Sequence, residues 1–296
     1  MLLARLVGIL FVVFQSATFL SDAPHKCEDC EGWNKPREPF KIYGNTYFVG
    51  TDGLSAILIT GNAGHILLDG GLEQSAPQID ANIRKLGFKT EDVKIIGNSH
   101  AHFDHAAGIR AMQRASGATV VASPSGAKGL EAGINTPDDP QAGYPKSLNA
   151  FPPVKGVRLV KDGDVVRVGN ISAMAVFTPG HTPGSTTWTW QSCEGGKCLN
   201  MVYADSISAV AGPGYRFTDH PDVIAQLRRS IARVSELPCD IVVSTHPSAT
   251  GLDAKIKGRA ALKPGAPDPF VDHGCKALGE GALKGLEARL AEEKKQ

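Results

Sequence analysis

An excess of either charge is the first thing this chain lacks. Its 296 residues set 31 Lys and Arg against 30 Asp and Glu, a formal net charge of +1 with histidine neutral. That balance leaves no electrostatic footprint for nucleic acid or an anionic membrane, so neither is expected as a partner. A long apolar run is missing too. The one candidate, Leu6 to Phe14, is too short to cross a bilayer comfortably. With Arg5 before it and Gln15-Ser16-Ala17 after it, the run has the layout of a secretory signal peptide, although a retained anchor competes with that reading. We assign residues 1–23 to the signal, cut after Ala17 or, less easily because of Pro24, after Ala23. Residues 24–296 then form one folded domain, periplasmic or secreted, not membrane-bound when mature, and monomeric. No short-period repeat and no low-complexity tract interrupts it, and 42% apolar with 21% charged residues is ordinary for a soluble globular protein.

A second cysteine pair near Cys27 and Cys30 is also lacking, which excludes a four-cysteine zinc site there and leaves a local disulfide or free thiols. Six cysteines in an exported chain favour bridges. Cys193 and Cys198 flank the turn-like Glu194-Gly-Gly-Lys197 between two apolar runs, which predicts a bridge across a hairpin. Cys239 and Cys275 would close a longer loop.

What the chain does have is a succession of short apolar runs. Phe40–Tyr43 and Thr46–Val49 around Gly44-Asn45 predict a hairpin. Strands are expected at Ser55–Ile59, His65–Asp69, Val93–Ile96, Gly117–Ala122 and Val157–Val160. Further strands are expected at Asp164–Val168, Ile171–Phe177, Thr186–Trp190, Met201–Ala204 and Ile241–Ser244. Apolar residues at helical spacing predict helices over Ala76–Leu86, Ala106–Ala115, Asp222–Leu237 and Gly281–Lys294. Pro124–Pro153, rich in Gly, Pro, Ala and Asp, reads as a long irregular loop bordering a site. Strands, then strand–helix units, then strands again in two comparable halves predict an α/β fold of two mixed sheets face to face with helices outside.

The densest chemistry lies in Asn98–Ala106, where His100, His102, Asp104 and His105 spell H-x-H-x-D-H directly after a predicted strand. Neutral imidazoles and a carboxylate suit Zn²⁺. In an extended loop alternate residues share a side, so His100 and His102 can grip one ion while Asp104 and His105 reach a second. A two-metal site needs about six protein ligands, and two more histidines stand at strand ends. His181 follows the strand ending at Phe177, and His246 follows Ile241–Val243, both in Gly/Pro-shaped turns. We divide the ligands as His100, His102 and His181 for one zinc and Asp104, His105 and His246 for the other. Asp104 would also orient the attacking water. Asp69 is either a partner that fixes a histidine tautomer or a plain turn residue. His25, His65, His220 and His273 do not share this placement and read as structural.

The H-x-H-x-D-H stretch resembles the signature of the metallo-β-lactamase superfamily. The resemblance runs from about Phe40 to Leu290 and is nearest to the subclass B3 zinc β-lactamases, through Ile42–Tyr47, Trp188–Cys193, Tyr203–Ala209, Gly214–Pro221 and the Cys239, Cys275 pair. It implies an αββα sandwich and two zinc ions. It also implies hydrolysis of a small-molecule β-lactam (penicillins, cephalosporins and carbapenems) by a metal-bound hydroxide, with Ser206 and Ser208 contacting the substrate. A lactonase or glyoxalase II-like thioesterase of the same fold is the alternative, because glyoxalase II-like relatives carry a metal-bridging aspartate in the stretch where Asp205 stands. One departure is Asp52, where some relatives carry a cysteine.

Overall fold

The computed structural model describes residues 19–295. The expected export signal lies outside the described residues up to residue 18. Among the described residues no helix is long and apolar enough to cross a membrane.

Seven strands form the first sheet in sequence order: β1 (Phe40–Tyr43), β2 (Thr46–Phe48), β3 (Ile57–Gly61), β4 (Gly64–Leu68), β5 (Val93–Gly97), β6 (Thr119–Ala122) and β7 (Arg158–Leu159). The first four run antiparallel, with tight turns between β1 and β2, as the Gly44-Asn45 signal predicts, and between β3 and β4; β4 to β7 run parallel and need crossovers. The second sheet has the order β12-β11-β10-β9-β8, from β8 (Val165–Val168), β9 (Ile171–Phe177), β10 (Thr186–Glu194), β11 (Lys197–Ala204) and β12 (Ile241–Ser244).

Alternation along the strands explains why the sheets stack. On β3, Ile57 and Ile59 face the second sheet while Leu58 faces outward. The inner layer joins Phe48, Ile66, Leu68 and Val121 to Ala175, Trp188, Met201, Tyr203 and Val243. Outside the first sheet pack α2 (Ala76–Lys85), α4 (Ile109–Ser116) and α5 (Pro124–Ala132), burying Ile79, Ile83, Met112 and Leu130. Outside the second pack α7 (Pro221–Ser235) and α9 (Cys275–Glu293), burying Leu227, Ile231, Val234, Leu286 and Leu290. The shorter helices are α1 (Cys30–Trp33), α3 (Phe103–Ala106), α6 (Lys146–Asn149) and α8 (Leu252–Ala260). The order of layers is the expected αββα sandwich.

Three expectations change. The stretch 124–153 is not wholly irregular: α5 opens it, with Pro124 in the first turn and Ser123 Oγ accepting the Gly126 N–H at 3.2 Å. Its two glycines hide the helical pattern. α9 begins at Cys275 rather than Gly281, because Cys275 is bridged to Cys239 and buried beneath α7. α8 escapes the periodicity altogether, since a lysine, Lys255, is one of its two buried residues. The bridges Cys193–Cys198 and Cys239–Cys275 are present as expected, and Cys27–Cys30 takes the disulfide alternative.

Candidate metal centre

The site sits where strands of both sheets end on one side. β5 delivers the loop with His100 and His102, and α3 carries Asp104 and His105. The turn after β9 brings His181, and the segment after β12 brings His246. Close approach of the sheets beneath the loop depends on Gly97, where a Cβ would stand 2.9 Å from Leu68 and 3.1 Å from the Trp188 ring. Gly180, at φ +136°, similarly lets the His181 turn lie on α7, where a Cβ would meet Leu227 at 2.7 Å.

The loop is braced from below. Asp69, at φ +61°, takes the Ser99 N–H at 2.7 Å, the Ser99 hydroxyl at 2.6 Å, the Asn98 amide at 3.1 Å and the Tyr203 hydroxyl at 2.8 Å. It therefore holds backbone and neighbours rather than a histidine ring, which is neither role considered from the sequence. Burial, against His105 and Ser99, lifts its carboxyl to about 6. Trp188 Nε1 donates to Asn98 O at 3.1 Å and closes the brace.

Two groups of side chains converge. Ligand atoms of His100, His102 and His181 lie within 4.8 Å of one another, as do those of His100, Asp104 and His105. His246 enters through Asp104, whose Oδ2 is 3.2 Å from His246 Nε2 and 3.1 Å from His105 Nε2. The His105 and His246 ring centroids are 4.9 Å apart. All six residues named from the sequence are thus brought together; five are buried and His246 is partly open to the cleft.

In each ring of the first group one nitrogen is engaged by a carboxylate or a carbonyl, and the second nitrogen of His102 and of His181 has only the Gln141 carboxamide nitrogen, at 3.5 Å. His100 Nδ1 pairs with Asp205 Oδ1 at 2.6 Å, His102 Nε2 with Asp139 Oδ2 at 3.0 Å, and His181 Nδ1 with Ser208 O at 2.9 Å. His100 Nε2 and both nitrogens of His105 are buried without a hydrogen-bond partner. Orphaned ring nitrogens pointing at one another are costly unless a cation fills the space between them. The residues present therefore fit a metal site, and a nitrogen- and carboxylate-rich donor set suits zinc.

The electrostatics of His100 and His181 favour ligation over protonation, whereas at His105 burial is outweighed by the neighbouring Asp104, which raises the imidazole. Burial, then His105 and His102, holds His100 well below the ordinary imidazole range. Burial, with His100 and His102, brings His181 down to about 3. Burial pushes the Asp104 carboxyl up, but His105 and His246 beside it outweigh that and hold it well below the usual carboxylate range.

A cleft of about 430 Å³ opens over the centre. Ser206 and Ser208 line it, with Ser206 Oγ 3.0 Å from Thr245 Oγ1 and Ser208 Oγ 3.3 Å from His181 Nδ1. Three residues at the site were not singled out in the sequence: Trp33 and Gln141 line the cleft, and Asp139 lies behind it against His102. Trp33, its ring 5.5 Å from that of His246, comes from the segment carrying the Cys27–Cys30 bridge. Asp139 and Gln141 come from the irregular part of 124–153, where border-of-site character was the only signal. The four histidines read as structural stand elsewhere: His25 stacks on Phe103, His65 meets Phe88 edge-on, His220 stacks on Tyr215, and His273 contacts Cys239 O.

Comparisons with known proteins agree with this geometry. A family profile described as the metallo-beta-lactamase superfamily matches residues 49–194. The solved Rm3 metallo-beta-lactamase superposes with a TM-score of 0.86 at 49% identity, covering 91% of this chain and 99% of that one. MEM-A1, a subclass B3 metallo-beta-lactamase isolated from a soil metagenome library, gives 0.84 at 47%, covering 88% and 98%. A hydroxyacylglutathione hydrolase of Chelativorans sp. (strain BNC1) is 29% identical over 145 residues, 49% of this chain and 44% of that protein. The chain thus spans less than half the length of that relative.

Proposed function

The chain belongs to the metallo-β-lactamase superfamily, and from that premise we propose that it is a zinc β-lactamase of the subclass B3 type, opening the ring amide of β-lactam antibiotics. The observation that carries this reading is the pair at the end of β11: Asp205 turns inward behind His100, and Ser206 is what faces the cleft. Asp205, where the thioesterase alternative would place a bridging carboxylate, is not among the converging ligand atoms of the described residues.

We assign His100, His102 and His181 to one zinc and Asp104, His105 and His246 to a second. When bound, zinc supplies Lewis acidity and makes water a nucleophile near neutral pH. The Asp104 carboxylate, kept ionised by its histidine neighbours, orients the attacking water by accepting a hydrogen bond from it, and the water's proton passes to the departing nitrogen. The water oxygen adds to the lactam carbonyl carbon, the C–N bond breaks, and the departing nitrogen receives a proton. Ser206 and Ser208 hold the substrate's carboxylate by hydrogen bonds, while Trp33, Phe103, Leu148 and Val210 screen the cleft from bulk water. Export through 1–23 and action as a single monomeric domain over 24–296 complete the proposal; all six ligands come from one chain.

The test is turnover of a chromogenic cephalosporin, abolished by EDTA and restored by zinc, with two zinc ions per chain by metal analysis. His246→Ala should weaken the second ion more than the first, and His181→Ala the reverse. Hydrolysis of a thioester or lactone without cephalosporin turnover would sink the β-lactamase reading.

A further inference from the structure

We infer that Asp139 is a positioning residue that couples the wall of the cleft to the metal centre, an inference that rests on His100, His102 and His181 holding a metal. Asp139 lies in the loop between α5 and α6, and it is only 5% exposed while the adjacent Asp138 faces solvent. A carboxylate taken out of water must be compensated. This one is met from two directions. Its Oδ2 and Oδ1 stand 3.0 and 3.2 Å from His102 Nε2, and Oδ1 accepts the Gln141 N–H at 2.7 Å.

Each contact has a consequence in the site. With its Nε2–H given to Asp139, His102 has only Nδ1 left to offer a metal. The bond to Gln141 N fixes the backbone from which the Gln141 carboxamide reaches in, its Nε2 3.5 Å from both His102 Nδ1 and His181 Nε2. One carboxylate thus sets both a ligand atom and the polar group facing it. The other two rings of that group differ: His100 and His181 take their partners from Asp205 and Ser208, just past the end of β11 in the second sheet. Of the three, only His102 pairs with a carboxylate of the loop that walls the cleft.

That loop is packed together with its wall residues. Pro140 O accepts the Gly212 N–H at 2.9 Å, Gln141 O accepts the Asn149 amide at 2.9 Å, and a Cβ on Gly143 would stand 2.2 Å from Pro213 O. Tyr144 from the same loop and Leu148 of α6 beside it line the cleft. A substrate pressing on them acts on Asp139, and through it on His102.

The competing reading is that Asp139 only caps the turn ending at Ala142. Chelator competition on the full oxidised chain, together with ¹⁵N–¹H spectra of the histidine rings, separates the two. Asp139→Ala should weaken one of the zinc ions by about ten- to a hundredfold and remove the protected Nε2 proton of His102, while Asp138→Ala changes neither. Asp139→Ser keeps a hydroxyl for the Gln141 N–H but falls short of His102, so it should show the same loss even if the alanine variant does not fold. Either variant binding both zincs like the parent, with that proton still protected, overturns the inference. A parent that binds no zinc at these histidines overturns the proposed function as well; a parent that binds zinc but leaves cephalosporins intact overturns only the substrate and leaves Asp139 its role.

Discussion

His100 Nδ1 lies 2.6 Å from Asp205 Oδ1, and neither side chain has any exposed surface. A buried imidazole–carboxylate pair of this kind fixes which ring nitrogen remains for a metal. It engages one oxygen of Asp205 and leaves the other, Oδ2, buried without a hydrogen-bond partner. Asp205→Asn leaves an oxygen that can still accept from His100 Nδ1, so the variant should retain both zinc ions. Metal analysis of the purified variant decides it. Loss of both ions, together with thioesterase activity in the parent, would mean that Asp205 is a ligand after all.

Ser206 faces the other way from Asp205, into the cleft. A hydrogen bond to a charged group contributes about 1.5–3 kcal/mol, so Ser206→Ala should lower kcat/KM by about ten- to a hundredfold. Zinc content should not change. Steady-state kinetics with a cephalosporin, alongside metal analysis, would expose any larger effect as structural.

Trp188→Phe tests the brace under the loop. The substitution strands Asn98 O, a buried acceptor, and should destabilise the protein by about 1–3 kcal/mol. Urea denaturation of the zinc-loaded protein reads this as a lower midpoint with an unchanged slope. An unchanged midpoint would show that the bond contributes nothing.

Glu293 gives a pH dependence far from the metal. It sits buried at the end of α9, accepting the Phe217 and Thr218 N–H groups at 3.1 and 2.8 Å and Arg289 Nε at 2.7 Å. Burial pushes its carboxyl up, but Thr218 and Arg289 outweigh that and lower it. A carboxyl depressed in the folded state adds stability above its unfolded pKa, about 4.3 for Glu, and loses it as pH falls through the folded value. Glu293→Gln should therefore be less stable than the parent at pH 7, and the difference should shrink below about pH 4. Thermal melts of both proteins across that range would contradict the assignment if the gap stayed constant.

How far the sequence speaks differs from residue to residue. His100, His102, Asp104 and His105 are legible because metal chemistry demands particular side chains at short spacing, and strand ends put His181 and His246 within reach of them. The strands are legible from alternation, since a slip by one residue would turn Ile57 and Ile59 away from the core. Asp139 is not legible: nothing in Pro137-Asp138-Asp139-Pro140 says which aspartate turns inward, because that is settled by how the loop lies against Gly212 and Pro213. Asp205 is a similar case, its role depending on a ring more than a hundred positions away in the chain. α8 was lost because Lys255, which reaches Asp272 at 2.7 Å and Val242 O at 3.1 Å, is buried where a periodic apolar residue would be sought.

The proposed ligands hang from both sheets: His100 and His102 follow β5 of the first, His181 and His246 follow β9 and β12 of the second. Neither half of the chain holds a complete set. A fragment ending before β8 would carry the densest motif in the sequence and still be unable to close a coordination sphere. Activity is thus a report on assembly, silent until the two layers have docked in register. An ion held by the proposed ligands would act as a rivet across the seam between them, so that stripping it should loosen the join between the layers before it disturbs either sheet.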